Sequence, residues 1–217
     1  MLSVVKICGI KTMLEAEEAV AAGAQAVGFV FSAESKRYVT PQQAREIIQT
    51  LPPFVSAVGV FVNENLTIVN EITASCGMTF AQLHGEEPPE YCEQVICPVI
   101  KTIKVRCEQD LHAFSLYKPH SFLLDSYVKG SQGGTGQTFN WELAKDVSSR
   151  QRVILAGGLT PNNITEALET IKPHGIDVSS GVETGGKKDF YKMRELIRQC
   201  GYYQNVRLGE NASCCSQ

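Results

Sequence analysis

Short continuous runs of apolar residues alternate along the chain with longer stretches in which apolar residues recur every three or four positions. The continuous runs are VVKIC (4–8), AVGFVF (26–31), SAVGVFV (56–62), FAQLH (80–84), VIKTIKV (99–105), SFLLDSY (121–127), RVILAG (152–157) and GIDVSS (175–180). Val, Ile and Phe dominate them. Runs of this length with no polar alternation suit strands that are buried on both faces, as in a parallel sheet. The stretches between them predict helices. Thr12 with Glu15 has the spacing of a capping box, and Gly23 suits the stop. Thr40-Pro41-Gln42-Gln43 repeats that signal with proline at the first helical position. Further helices are expected near LTIVNEITAS, PPEYCEQVI, DLHAFSLY, NWELAKDV, NNITEALETI and DFYKMRELIRQ.

A strand followed by a helix, eight times over, predicts an α/β protein built as a single-domain (β/α)8 TIM barrel. An open doubly wound sheet is the rival, but it usually needs fewer strands. No break in composition marks a second domain. The barrel is expected over residues 1–205. The polar stretch 206–217, which ends in Cys214-Cys215-Ser216-Gln217, is expected to be a disordered tail.

Composition narrows the function. The 217 residues are 43% hydrophobic and 20% charged, with a formal net charge of -3. That lacks the basic footprint of a nucleic-acid binder. No apolar run approaches the length of a membrane span. Lys6 and Lys11 interrupt the first residues, against a signal peptide. A cytoplasmic protein without nucleic-acid or membrane partners is expected. Its eight cysteines include no CxxC pair, so reduced thiols are expected rather than a zinc site or a disulfide framework. The surface hydrophobics are too few for a large interface, and a monomer is expected.

Active sites of barrels lie at the C-terminal ends of the strands. There the sequence places Cys8, Arg37, Asn63, His84, Asp125, Gly157-Gly158 and Ser179-Ser180-Gly181. Parity along the first strand puts Lys6 and Cys8 on one face, so a lysine beside the thiol is expected to lower its pKa. Taken singly, Cys8, His84 and Arg37 suit a core thiol, a structural histidine and a solvated loop charge. Asp125 is different: a carboxylate after Phe-Leu-Leu must be paired or face a cleft. LAGGLTPNN (155–163) and SSGVETGGKKD (179–189) have the form of loops whose backbone N–H groups bind phosphate. A third glycine-rich loop, GSQGGTGQTFNW (130–141), contains Gly134. The segment from Gly181 to Lys188 imitates a nucleotide-binding P-loop, but the hydroxyl residue that would hold magnesium is missing. A thiol, a carboxylate, an arginine and two phosphate-type loops on one face suggest proton transfer on a phosphorylated, anionic small molecule.

KICGI (6–10), GFVF (28–31), KRYV (36–39), GVFVN (59–63), QLHG (82–85), LLDS (123–126), GGTG (133–136), LAGGL (155–159) and DVSSGVE (177–183) occur in that order. Together they resemble the phosphoribosylanthranilate isomerase family from about residue 4 to about residue 200. The resemblance implies a barrel of tryptophan biosynthesis and an Amadori rearrangement of N-(5′-phosphoribosyl)anthranilate, with neither metal nor organic cofactor. It implies Cys8 as general base and Asp125 as general acid, the latter holding a proton at neutral pH. Arg37 would take the anthranilate carboxylate, with His84 lining the site. Gly157, Gly158, Ser180, Gly181 and Gly134 are expected near the phosphate. Lys11 departs from the small polar residue common in the family. A different phosphosugar isomerase, a synthase using Lys101, and a non-catalytic barrel are the alternatives. The KICGI and LLDS segments fit the isomerase better.

Overall fold

The strands pair in the order of the chain, and the last returns to the first. A computed structural model describes residues 4–126, 141 and 145–214. Strands β1 (Val4–Cys8), β2 (Ala26–Val30), β3 (Ser56–Phe61), β4 (Phe80–Leu83), β5 (Val99–Val105), β6 (Ser121–Ser126), β7 (Val153–Leu155) and β8 (Gly175–Val178) form a closed barrel. Every neighbouring pair is parallel, including β1 with β8, where Lys6 stands opposite Asp177. On its other side Lys6 pairs with Ala26, and Cys8 with Gly28.

Side-chain alternation divides the strand residues into two sets. Val5, Ile7, Val27, Phe29, Leu83, Phe122 and Leu124 belong to the large cluster that also contains helix residues such as Ala16, Ile164 and Leu196. Each such fully buried large side chain contributes about 1.5–3 kcal/mol. A smaller cluster fills the barrel itself: Ala26, Val58, Ile100, Leu123 and Ala156, with Phe80 and Ile154 packed against it. Lys6, Gln82 and Asp177 are polar and nearly as buried as these.

The helices are α1 (Met13–Ala22), α2 (Pro41–Ile48), α3 (Leu66–Cys76), α4 (Pro89–Cys92), α5 (Lys145–Arg150), α6 (Ile164–Ile171) and α7 (Phe190–Cys214). Thr40 and Gln43 form the full reciprocal capping box on α2. On α1 only half of it forms. Thr12 Oγ1 accepts from the Glu15 N–H, but the Glu15 carboxylate accepts from the Lys11 N–H at 2.8 Å and the Lys188 N–H at 3.3 Å. Glu15 therefore joins the loop after β1 to the distant segment around Lys188. α1 stops at Gly23 in a left-handed conformation, as its sequence predicts.

Two connections differ from expectation. The helix over PPEYCEQVI shortens to the single turn of α4, and DLHAFSLY becomes a 3-10 segment, Glu108–Ser115. Apolar side chains of both stretches, among them Tyr91, Cys92, Leu111 and Phe114, still pack against the core, so the apolar spacing holds while the helical turns do not. The expected boundary at residue 205 falls inside α7. After β8 a 3-10 turn (Ser180–Val182) leads into a hairpin of β9 (Glu183–Thr184) and β10 (Lys187–Lys188). Its turn residues Gly185 and Gly186 both have positive φ, as a tight two-residue hairpin requires. No helix among the described residues is long and apolar enough to cross a membrane.

Candidate active site

An open cavity lies at the C-terminal ends of the strands. Cys8, Arg37, His84, Asp125, Gly157, Gly158, Ser180 and Gly181 all line it, whereas Asn63 does not and instead holds the loop after β4, its Oδ1 accepting from the Glu86 N–H at 2.7 Å. Gly134 lies outside the described residues. Lys101 does not line the cavity. Its Nζ donates to Glu87 Oε2 at 2.7 Å and to the Gly85 carbonyl at 2.8 Å, so it is committed to holding the loop after β4.

Cys8 is the last residue of β1 and is a buried free thiol. Its room comes from Gly28 across the ladder. A Cβ there would stand 2.9 Å from Cys8 Sγ and 3.0 Å from Lys6 Nζ. Glycine inside a strand is a sequence sign of such a close approach, and at Gly28 it marks the site.

Lys6 does not lower the thiol's pKa overall, contrary to the sequence expectation. Burial pushes the Cys8 thiol up from its ordinary value. Lys6 and Lys188 oppose that rise and Asp177 adds to it, with burial the largest effect. Lys6 is already engaged, its Nζ donating to Asp177 Oδ1 and Gln82 Oε1, each at 2.9 Å. Burial disfavours the Lys6 charge, but the Asp177 carboxylate and the Cys8 thiolate more than offset this, so the ammonium is held above its ordinary value.

Asp125 sits near the end of β6 and is 7% exposed. Its Oδ2 lies 3.2 Å from Nε2 of His84, which stands just past β4. His84 Nδ1 in turn meets Gln82 Nε2 and Thr102 Oγ1, each at 3.2 Å. The sequence places His84 in the site without a partner; the partner is Asp125.

Arg37 lies in the loop after β2, its side chain over Gly9. A Cβ on Gly9 would collide with Arg37 Cδ, and Gly9 itself has φ +80. The guanidinium makes a two-pronged pair with Glu183, Nε to Oε1 at 2.8 Å and Nη2 to Oε2 at 2.9 Å. Glu183 also accepts from Lys188 Nζ at 2.7 Å. Burial opposes the Glu183 charge, but Arg37 and Lys188 prevail and hold its carboxyl down to about 2. Lys188, dismissed in the sequence as part of a P-loop imitation, is 7% exposed and also donates to the carbonyl and hydroxyl of Ser179. The segment is a hairpin that returns a lysine into the wall of the site.

Gly157 and Gly158 follow β7 with φ of 81 and 65. Among the described residues, neither N–H is used in a backbone hydrogen bond. A Cβ on Gly181 would collide with the Leu159 carbonyl oxygen, so glycine there lets the loops after β7 and β8 touch. Ser179 Oγ donates to the Cys8 carbonyl at 3.0 Å, tying the β8 loop to the end of β1. The arrangement presents a thiol and a carboxyl to one cavity beside paired basic groups and two glycine turns. It suits acid–base chemistry on an anionic ligand.

A family model described as N-(5'phosphoribosyl)anthranilate (PRA) isomerase matches residues 5–199. The N-(5'-phosphoribosyl)anthranilate isomerase of Pelobacter propionicus is 50% identical over 195 residues, covering 89% of this chain and 93% of its own. A solved phosphoribosyl anthranilate isomerase in complex with reduced 1-(o-carboxyphenylamino)-1-deoxyribulose 5-phosphate is 39% identical. It superposes with a TM-score of 0.83 over 92% of this chain and 99% of that one. A Thermotoga maritima structure, described as monomers generated from a dimeric phosphoribosylanthranilate isomerase, is 37% identical with a TM-score of 0.83 and the same coverage. The chain belongs to the phosphoribosylanthranilate isomerase family.

Proposed function

We propose that Cys8 and Asp125 are the base and the acid of the isomerisation, with Arg37 and His84 contacting substrate and the loops of Gly157-Gly158 and Ser180-Gly181 taking the phosphate. The reaction is the family's own: an aldose–ketose isomerisation of N-(5′-phosphoribosyl)anthranilate in tryptophan biosynthesis. The observation that carries the role assignment is that a thiol from β1 and a carboxyl from β6 line the same cavity. The closed ring puts their strands, β1 and β6, three strands apart.

In this reading Asp125 gives a proton to the ribose ring oxygen, and the C1′–O bond breaks. The nitrogen lone pair then forms an iminium at C1′, which acidifies the C2′ proton. Cys8, as thiolate, removes that proton and the electrons move to the nitrogen, giving an enolamine. Tautomerisation yields the ketone, with every atom retained. Burial favours the thiol form of Cys8, and Lys6 and Lys188 oppose that rise only in part, so the thiolate forms as the minor species that takes the proton. The Arg37 pair with Glu183 uses Nε and Nη2 and leaves Nη1 to meet the anthranilate carboxylate. Gly157 and Gly158 offer backbone N–H donors to the phosphate, as the loops after strands seven and eight do in many barrels. Gly134, in the β6 loop, is proposed on the family's pattern alone. A cytoplasmic location and a monomeric state belong to the same proposal.

The roles are tested by making phosphoribosylanthranilate in place from anthranilate and phosphoribosyl pyrophosphate and following its disappearance by fluorescence. Cys8→Ser and Asp125→Asn are each expected to lower kcat by about 10²–10⁴-fold while remaining folded. A variant that keeps wild-type kcat removes its residue from the proposed pair.

A further inference from the structure

A line of hydrogen bonds runs along the cavity wall through Asp177, Lys6, Gln82, His84 and Asp125, and its polarity is set at one end by a charge. Lys6 Nζ lies 2.9 Å from Asp177 Oδ1 and 2.9 Å from an oxygen of the Gln82 amide. An ammonium carries donors only, so the Gln82 atom facing it must be the carbonyl oxygen. The NH2 end of that amide is then the atom 3.2 Å from His84 Nδ1. A ring nitrogen facing a donor must offer its lone pair. Thr102 Oγ1, 3.2 Å from the same nitrogen, can donate or accept and does not decide the matter. His84 therefore carries its proton on Nε2, which lies 3.2 Å from Asp125 Oδ2.

We propose that Gln82 is a positioning residue for the isomerisation: it converts the fixed charge of Lys6 into a fixed proton on His84 Nε2, which orients the Asp125 carboxyl. The proposal rests on the reading of Asp125 as the acid. An Nε2–H directed at Oδ2 makes that oxygen the acceptor and leaves Oδ1 to carry the transferable proton. When the proton passes to the ribose oxygen, the bond from His84 becomes one to a carboxylate. Such charge-assisted bonds are about twice as strong as neutral ones, so the contact tightens as charge develops. His84 keeps its own proton throughout, and no co-reactant is needed. The opposite tautomer would set a ring lone pair against the lone pairs of the carboxylate.

Two substitutions separate this role from simple packing. Gln82→Glu keeps the shape and the contact with Lys6 but replaces the donor facing Nδ1 with an acceptor. Gln82→Met removes both polar ends. Histidine nitrogen-15 NMR, assigned by the signal lost in His84→Asn, reads which ring nitrogen bears hydrogen. In wild type, Nε2 is expected to be protonated and Nδ1 bare. In Gln82→Glu, Nδ1 is expected to gain hydrogen, with kcat falling roughly ten- to a hundredfold and KM changing less than about threefold. Gln82→Met is expected to mix the tautomers and lose less activity. A protonated Nδ1 with a bare Nε2 in wild type overturns the proposal. So do two folded variants that leave the tautomer or kcat as in wild type. Asp125→Asn distinguishes the underlying reading. If it retains activity, the acid assignment fails and the positioning role with it. If it is inactive while Gln82→Glu shifts the tautomer without lowering kcat, the acid stands and the role of Gln82 falls.

Discussion

At the scale of the residue, Cys8 is the group whose behaviour departs most from its sequence neighbourhood. Lys6 two positions earlier suggests an activated thiolate, yet burial outweighs it and the thiol is pushed up. The difference in thiolate ultraviolet absorbance between wild type and Cys8→Ser, followed against pH, should therefore rise only above about 8.5, the ordinary thiol value. Half-titration near neutrality would overturn that direction. The sign extends to stability: a group whose pKa is raised by folding stabilises below its unfolded value, and that stability is lost as pH rises through the folded value. Wild type should thus lose more stability than Cys8→Ser in alkali. The sequence could show Lys6 beside Cys8, because alternation along one strand is local. It could not show that Asp177 and Gln82 already hold the lysine, because those partners lie 171 and 76 positions away.

At the scale of the element, the hairpin of β9 and β10 is the part least legible beforehand. Its residues spell an incomplete P-loop, and only the turn at Gly185-Gly186 reveals that Lys188 folds back beside Glu183. Strands were easier to place, since continuous apolar runs and parity determine both their existence and their inward faces. The two short connections differ because apolar spacing marks which side chains reach the core but not how many helical turns carry them there. Glu183 gives the hairpin its purpose: it holds Arg37 by two prongs while Lys188 braces it from behind. Glu183→Gln should keep the fold but loosen Arg37. Steady-state kinetics should show KM rising about tenfold, with a smaller change in kcat, the loss of one charge-assisted contact set. An unchanged KM would mean that Arg37 holds its place without the pair. The Glu183 carboxyl, lowered to about 2, contributes stability present above its unfolded value near 4.5 and lost as pH falls towards 2.

At the scale of the whole molecule, the ring of strands assembles a site from residues spread along the chain, which is why motif order was informative and no single motif was. Exposed large hydrophobics include Leu14 on α1, Tyr191 on α7, and Phe54, Ile96 and Leu116 in the connections, and the proposed monomer requires that these stay in contact with water. Light scattering should give a mass near 23.8 kDa. Twice that mass would overturn the monomer, and restoration by Phe54→Asp would identify the face, since Phe54 is 96% exposed. Closure of β8 onto β1 also has a bearing on synthesis. Lys6 is synthesised 171 residues before its carboxylate partner Asp177. At about 5–20 residues per second, that is a delay of about 10–30 s. Throughout it the lysine has no carboxylate to follow it into a low-dielectric interior, and burying it alone would be costly. The first strand must therefore wait in water, and the thiol reaches its working surroundings only when β8 has been made.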